Sequence, residues 1–157
     1  MENNKLIELG DEYRRNNNYD KMIECYKNAA EQGSVKAQLI LGELYSDVEF
    51  EYYNETESFN WYYLAAKQGD LSAQYRLGYC YEYGCGVEQS DEQAYFWLKS
   101  AASKGYEFAK RELEDNIFFQ EFKLKDEVDS KIPLAEKGDV EAQIFIAEFY
   151  FGIDNDE

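Results

Sequence analysis

The chain contains no histidine, one proline and three cysteines among 157 residues. Without histidine it lacks the commonest general base near neutral pH, the commonest metal ligand and the middle member of the usual nucleophile triads. Cys25, Cys80 and Cys85 are too few, and odd in number, for a disulfide framework. A structural zinc site asks for four Cys or His ligands, so no metal is expected and the cysteines read as reduced thiols. Basic residues are also scarce: 16 Lys and Arg face 33 Asp and Glu, a net charge of -17. Holding a nucleic-acid backbone takes a surplus of Lys and Arg, so no nucleic-acid partner is expected. Long apolar runs are missing. None approaches the ~20 residues needed to span a bilayer, and no basic segment followed by an apolar one opens the chain as a secretory leader would. The expectation is a cytoplasmic protein without a membrane partner.

What is present is a repeat. Ala29-Ala30 with Gly33, Ala65-Ala66 with Gly69, and Ala101-Ala102 with Gly105 recur at a spacing of 36 residues, and Leu134-Ala135 with Gly138 follows 33 residues later. Four residues beyond each glycine stands an alanine: Ala37, Ala73, Ala109 and Ala142. Leu41-Gly42 and Tyr45 match Leu77-Gly78 and Tyr81, and Trp61 matches Trp97. The units run approximately over 1–33, 34–69, 70–105, 106–138 and 139–157, in one array over 1–157.

Each unit reads as a pair of antiparallel helices, A and B. Helix B ends on a glycine, which takes the left-handed conformation at least cost. Ser34, Asp70 and Asp139 follow as N-caps of the next helix A. Ala37, Ala73, Gly42 and Gly78 permit close helix approach. Leu41, Tyr45, Trp61, Leu64 and Ala65 are expected to fill one seam, and Leu77, Tyr81, Trp97, Leu98 and Ala101 the next. Helix A candidates are 3–16, 35–47, 71–83, 107–121 and 140–151; helix B candidates are 19–32, 56–68, 91–104 and 124–137. Ser90 and Gln93 form a capping box, and Val87 is expected to tuck beneath the loop before it. Val48 and Phe50 replace Gly84 and Gly86 in the second unit, so that loop must take another path. Pro133 should kink or split its helix.

Ala73-x3-Leu77-Gly78-x2-Tyr81-x2-Gly84-x-Gly86-Val87, followed by Ala94-x2-Trp97-x3-Ala101-Ala102-x2-Gly105, resembles the Sel-like repeat (SLR), a relative of the tetratricopeptide repeat. The first unit, with a shorter loop between Tyr13 and Met22, is similar to an ordinary tetratricopeptide repeat. The resemblance implies an all-α fold, a right-handed α-solenoid with helices A lining the concave face. It also implies a non-enzymatic adaptor or scaffold rather than a catalyst.

Other chemistry finds little support. Asp47, Glu49 and Glu51 alternate as in a calcium loop, but Tyr52 stands at the turn glycine and Ser58 at the closing glutamate. No Walker or dinucleotide glycine pattern occurs, and no cofactor is expected. On the resemblance, the groove positions hold Asp11, Arg14 and Arg15; Leu39, Glu43 and Asp47; Tyr75, Tyr79, Glu82 and Tyr83; and Arg111, Asp115 and Phe118. Of these, Glu43, Asp47, Tyr75, Tyr79, Glu82, Tyr83, Arg111 and Asp115 are the candidate partner-binding residues. Rings beside carboxylates suit a basic protein or peptide. Packing between neighbouring helices is the other reading of Tyr75. A second function would be an acidic decoy that mimics nucleic-acid charge and occludes a basic partner. Residues 139–157 carry six acids and no base, yet also Ile144, Phe145, Ile146, Phe149 and Phe151. Phe145, Ile146 and Phe149 should pack inward. Ile144 and Phe151 are left for further repeats or for weak homodimerisation through this helix.

Overall fold

The computed structural model describes residues 2–151. The helices are α1 (Glu2–Arg15), α2 (Tyr19–Glu31), α3 (Val35–Ser46), α4 (Glu55–Lys67), α5 (Leu71–Tyr83), α6 (Asp91–Ser103), α7 (Glu107–Asp115), α8 (Gln120–Glu136) and α9 (Val140–Phe151). There is no strand among the described residues. The chain forms two compact units, Met1–Asp115 and Asn116–Glu157.

In the first unit α1 pairs with α2, α3 with α4 and α5 with α6, and each second helix packs on the first helix of the following pair. This is the expected α-solenoid arrangement. The turns between repeats follow the expected chemistry. Gly33, Gly69 and Gly105 have φ of +85°, +92° and +91°. The Ser34 side chain accepts from Ala37 N, and Asp70 Oδ1 accepts from Ala73 N at 2.8 Å. Such a cap contributes about 1 kcal/mol.

Burial alternates along each helix as the repeat requires. One cluster draws Ile7, Met22, Tyr26, Leu41, Tyr45 and Trp61 from the first four helices; a second gathers Tyr62, Ala65, Ala73, Leu77 and Cys80 from α4 and α5. Three seam assignments need correction. Leu64 is exposed, and Tyr62 is buried in its place. The register explains this: 36 residues before Leu98 stands Tyr62, not Leu64. A Cβ at Gly42 would meet the Tyr62 ring at 2.5 Å, as one at Gly78 would meet Leu98 Cγ at 2.6 Å. Trp97 is only half-buried, whereas Trp61 is 9% exposed. Trp97 meets Phe96 and Tyr63 edge-on at 5.3 and 6.3 Å and flanks the second cluster. Tyr81 is half-buried too, edge-on to Phe59 at 5.4 Å.

A ladder of glutamines joins the repeats. Gln38 Nε2 donates to Ala30 O at 3.0 Å and Gln74 Nε2 to Ala66 O at 3.3 Å, both from buried side chains. Gln68 and Ser100 then donate to the oxygens of Gln38 and Gln74. At the ends of α2 and α4, Ala30 O and Ala66 O thus accept both from the turn N–H of Gly33 or Gly69 and from a glutamine of the next helix A.

The loops diverge as expected. Gly84 closes α5 in the left-handed region, and Gly86 (φ +71°) lies against Glu55, whose carbonyl a Cβ would strike. Val87 packs against the second cluster. In the second unit, Asp47 ends α3 in extended backbone, Val48 is exposed, and Phe50 packs edge-on to Tyr19 at 5.4 Å. Tyr52 adds a hydrogen bond from its hydroxyl to Asp20. Both loops still rejoin alike, with Asn54 N donating to Tyr45 O and Ser90 N to Tyr81 O. The Ser90 side chain caps Gln93 N at 3.3 Å. The reciprocal half of the capping box is replaced, because the Ser90 N–H is held by Tyr81 O.

The fourth helix A is shorter than expected. α7 stops at Asp115, not 121, because Asn116 Oδ1 accepts from Phe118 N and starts a 3-10 turn over Ile117–Phe119. In the second compact unit, α8 therefore begins at 120 rather than 124. It runs unsplit past Pro133. Proline there removes one intrahelical hydrogen bond without ending the helix. Gly138 (φ +90°), the Asp139 cap on Ala142 N at 2.8 Å and the Gln143 bond to Ala135 O at 2.9 Å repeat the turn seen in the first unit. Within α9, Phe145 and Ile146 are half-buried, with Lys131 Nζ 4.5 Å from the Phe145 ring centre. Phe149 is exposed and meets Tyr150, contrary to the inward packing expected of it. Ile144 is exposed, and the Phe151 side chain lies outside the described residues.

Candidate functional site

Tyr75, Tyr79 and Tyr83 lie four residues apart on α5, which puts them on one stripe of the helix. The next stripe, Ala73, Leu77 and Cys80, is buried and fixes the helix rotation. Tyr79 and Tyr83 stand 49% and 58% exposed, with ring centres 4.4 Å apart. Two adjacent rings held by a rigid helix make a surface that needs little ordering before a ligand can lie on it. The Glu82 charge, then slight burial and a hydrogen bond to that carboxylate, push the Tyr83 hydroxyl pKa up. That hydroxyl therefore stays a neutral donor.

Tyr75 belongs to a different group. It is half-buried, with Tyr106 and Phe108 rings at 5.7 and 6.3 Å. Burial first, and then the Glu112 charge, raise its pKa. Phe108, 60% exposed, and Tyr106 join this second aromatic group, and sequence reasoning had passed over both. The available signal was position: Tyr106 follows Gly105 where the other units carry a polar cap.

Glu43 is exposed on α3, one repeat before Tyr79. Asp47, one repeat before Tyr83, caps the end of α3, and its Oδ1 accepts from Glu49 N at 3.0 Å. Arg111 and Asp115 are exposed on α7. Phe118 belongs to the second compact unit, and α3, α5 and α7 to the first. The structure thus brings Tyr79, Glu82 and Tyr83 together directly; Tyr75 stands on the same helix in its own aromatic group, Glu43 and Asp47 belong to the preceding repeat, and Arg111 and Asp115 to the following helix A. Several lysines sit on rings elsewhere: Lys27 over Tyr45, Lys67 over Tyr63 and Lys99 over Tyr95, at 5.5, 5.5 and 5.8 Å.

Among the described residues no group of three His, Cys, Asp or Glu side chains converges as metal ligands would. No helix among them is long and apolar enough to cross a membrane.

Known proteins share this architecture. A Sel1 repeat protein from Oxalobacter formigenes, known from its crystal structure, is 37% identical, with a TM-score of 0.65 over 73% of this chain and 89% of that one. The crystal structure of c5321, a protective antigen present in uropathogenic Escherichia coli strains and displaying an SLR fold, is 28% identical, with a TM-score of 0.67. It covers 94% of this chain, which spans about a third (33%) of that protein. No curated protein sequence matches significantly. The Sel1 repeat profile matches residues 7–34, 35–70 and 71–106, nearly the span over which the 36-residue period, the glycine turns and the glutamine ladder recur. With three consecutive repeats matched and the helix pairs they specify in place, the chain is a member of the Sel1 repeat family.

Proposed function

We propose that the chain is a non-enzymatic adaptor that holds a basic segment of a partner protein along its helices A, with Tyr79 and Tyr83 as the aromatic platform. Sel1 repeat proteins are generally protein-interaction modules, which supports the class of function. The observation that carries the particular reading is the exposed ring pair with Glu82 beside it. Rings attract Lys and Arg through their faces, and a neighbouring carboxylate adds charge to that attraction. Glu43 and Asp47 extend the acidic character on α3, and Arg111 and Asp115 flank it on α7. The proposed setting is cytoplasmic, with reduced thiols and no cofactor. Weak self-association through α9 is proposed as well, on the exposed Ile144 and Tyr150. An Ile144→Glu, Tyr150→Glu variant in sedimentation velocity should lower any dimer fraction; an unchanged fraction moves the interface elsewhere.

The test of the adaptor is affinity capture with the parent chain and with Tyr79→Ala, Tyr83→Ala and Glu43→Lys variants. Phe96→Ala, exposed on α6, serves as the control. A partner lost with the helix A variants and kept with the control supports the reading. A partner that survives all three, and is instead competed away by nucleic acid, overturns it in favour of the charge-mimic decoy.

A further inference from the structure

The first compact unit contains a second feature, a cavity of about 350 Å³ between the second and third repeats. Its wall is made by the end of α3, the segment that follows, α4, α5 and the glycine loop, with Tyr79 the one residue shared with the ring pair. The size suits a group as large as one amino acid, at the lower end of the ~300–1,000 Å³ typical of small-ligand sites.

Its polar groups differ in what they are free to do. The Ser58 hydroxyl donates to Gly42 O at 2.7 Å and joins α3 to α4. Glu55 accepts from the Tyr53 hydroxyl at 2.6 Å and sits in the first turn of α4, where the helix dipole favours an anion. Burial pushes the Cys80 thiol pKa up to about 12, and that of Cys85 is raised by the same cause. Neither is a thiolate near neutral pH, so neither offers a nucleophile or a metal ligand. Arg76 is the one permanent cation among the described residues of the wall. It is exposed, and its guanidinium makes no hydrogen bond or ion pair among the described residues. A guanidinium presents a planar fork of donors that matches a carboxylate. Around it, Tyr62, Tyr79 and Val48 supply apolar surface.

We propose that this pocket binds a carboxylate carried on an apolar residue, with Arg76 pairing to the carboxylate and Tyr62, Tyr79 and Val48 covering the side chain. A peptide's C-terminal residue and a free N-acylated amino acid share that chemistry. The site differs from the basic-segment platform in the sign of charge it selects, and neither reading depends on the other.

The experiment is an NMR titration of the isotope-labelled full chain, following the Arg76 Nε–Hε and Tyr62 signals. The probes are N-acetyl-phenylalanine, its carboxamide, and a short peptide ending in phenylalanine with a free or an amidated C-terminus. Saturable shifts with the carboxylates, and binding about tenfold or more weaker with the amides, are expected, as loss of a charge-assisted hydrogen bond would give. Tighter binding of the peptide than of the free amino acid assigns a C-terminus as the ligand; the reverse assigns a small carboxylate. Arg76→Gln, on an exposed side chain, should remove the preference without altering the circular dichroism. Phe96→Ala, at an exposed residue that does not line the cavity, should leave it intact. Equal response to acid and amide, shifts confined to other residues, or no response to any probe would overturn the proposal.

Discussion

At the residue scale, the glycines show how one residue type serves two physical roles. Gly69 turns the chain in the left-handed region with nothing within 4 Å of an added Cβ. Gly86 has a similar φ, but its missing Cβ is replaced by the backbone of Glu55. Gly69→Ala is expected to cost about 1–2 kcal/mol, the ordinary penalty of that conformation. Gly86→Ala should cost more, by roughly a further 1–3 kcal/mol of overpacking. Urea denaturation of the two variants checks the order; equal losses would show that the loop simply moves away. Tyr26 offers a second residue-scale test. Its buried hydroxyl donates to Asp11 Oδ1 at 2.6 Å, and burial first, then this hydrogen bond, raise its pKa above the ordinary 10.0. Above pH 10 the unfolded chain releases the tyrosine proton while the folded chain retains it. The native state then binds more protons, so stability falls with rising pH. That contribution is fully present below the unfolded pKa and is lost as pH climbs toward the folded one. Thermal melts from pH 8 to 11 should show this loss, and Tyr26→Phe should flatten it.

At the element scale, the two tryptophans of matching register have different surroundings. Trp61 lies within the first cluster with Leu41 and Tyr45, whereas Trp97 lies beside the second with one side open. Trp61→Ala is expected to cost about 3–5 kcal/mol, as for a buried aromatic, and Trp97→Ala clearly less. Chemical denaturation decides it, and equal costs would mean that Trp97 is covered after all. The register could be read from the sequence, because alanine, glycine and aromatic positions recur together. The degree of burial could not, because it depends on how much surface the surrounding side chains leave uncovered. α8 makes the complementary point. Pro133 marks a break by local rules, yet the helix continues through it. Pro133→Ala should restore the lost hydrogen bond and raise the stability of the Asn116–Glu157 unit by up to about 3 kcal/mol. A fall in its melting midpoint would show that the proline fits this helix better than alanine does.

At the scale of the whole molecule, a charge of -17 over 157 residues opposes compaction by self-repulsion. The ion pairs seen, such as Lys110–Glu107, are exposed and local, so they offset little of it. Raising salt from about 10 to 150 mM shortens the screening length from ~30 to ~8 Å. The melting midpoint should therefore rise with salt, and a midpoint that falls would mean that attractive pairs dominate. The same screening should weaken capture of a basic partner, giving stability and partner affinity opposite salt dependences.

The all-helical class, the 36-residue period and the N-caps at Ser34, Asp70 and Asp139 were determined by sequence alone. Each rests on chemistry between residues a few positions apart: a glycine that tolerates positive φ, a side-chain oxygen that reaches an N–H three residues on. The glutamine ladder, the exchange of Tyr62 for Leu64 against Gly42, and the early stop of α7 were decided by tertiary structure. So was the nature of the candidate sites. Tyr75, Tyr79 and Tyr83 are equivalent by spacing, but only the fold sets Tyr75 against Tyr106 and Phe108 and leaves the other two side by side in the open, their rings tilted to one another. Arg76 carried no signal of its own, because a single cation gains meaning only from the cavity that four separate stretches of chain close around it.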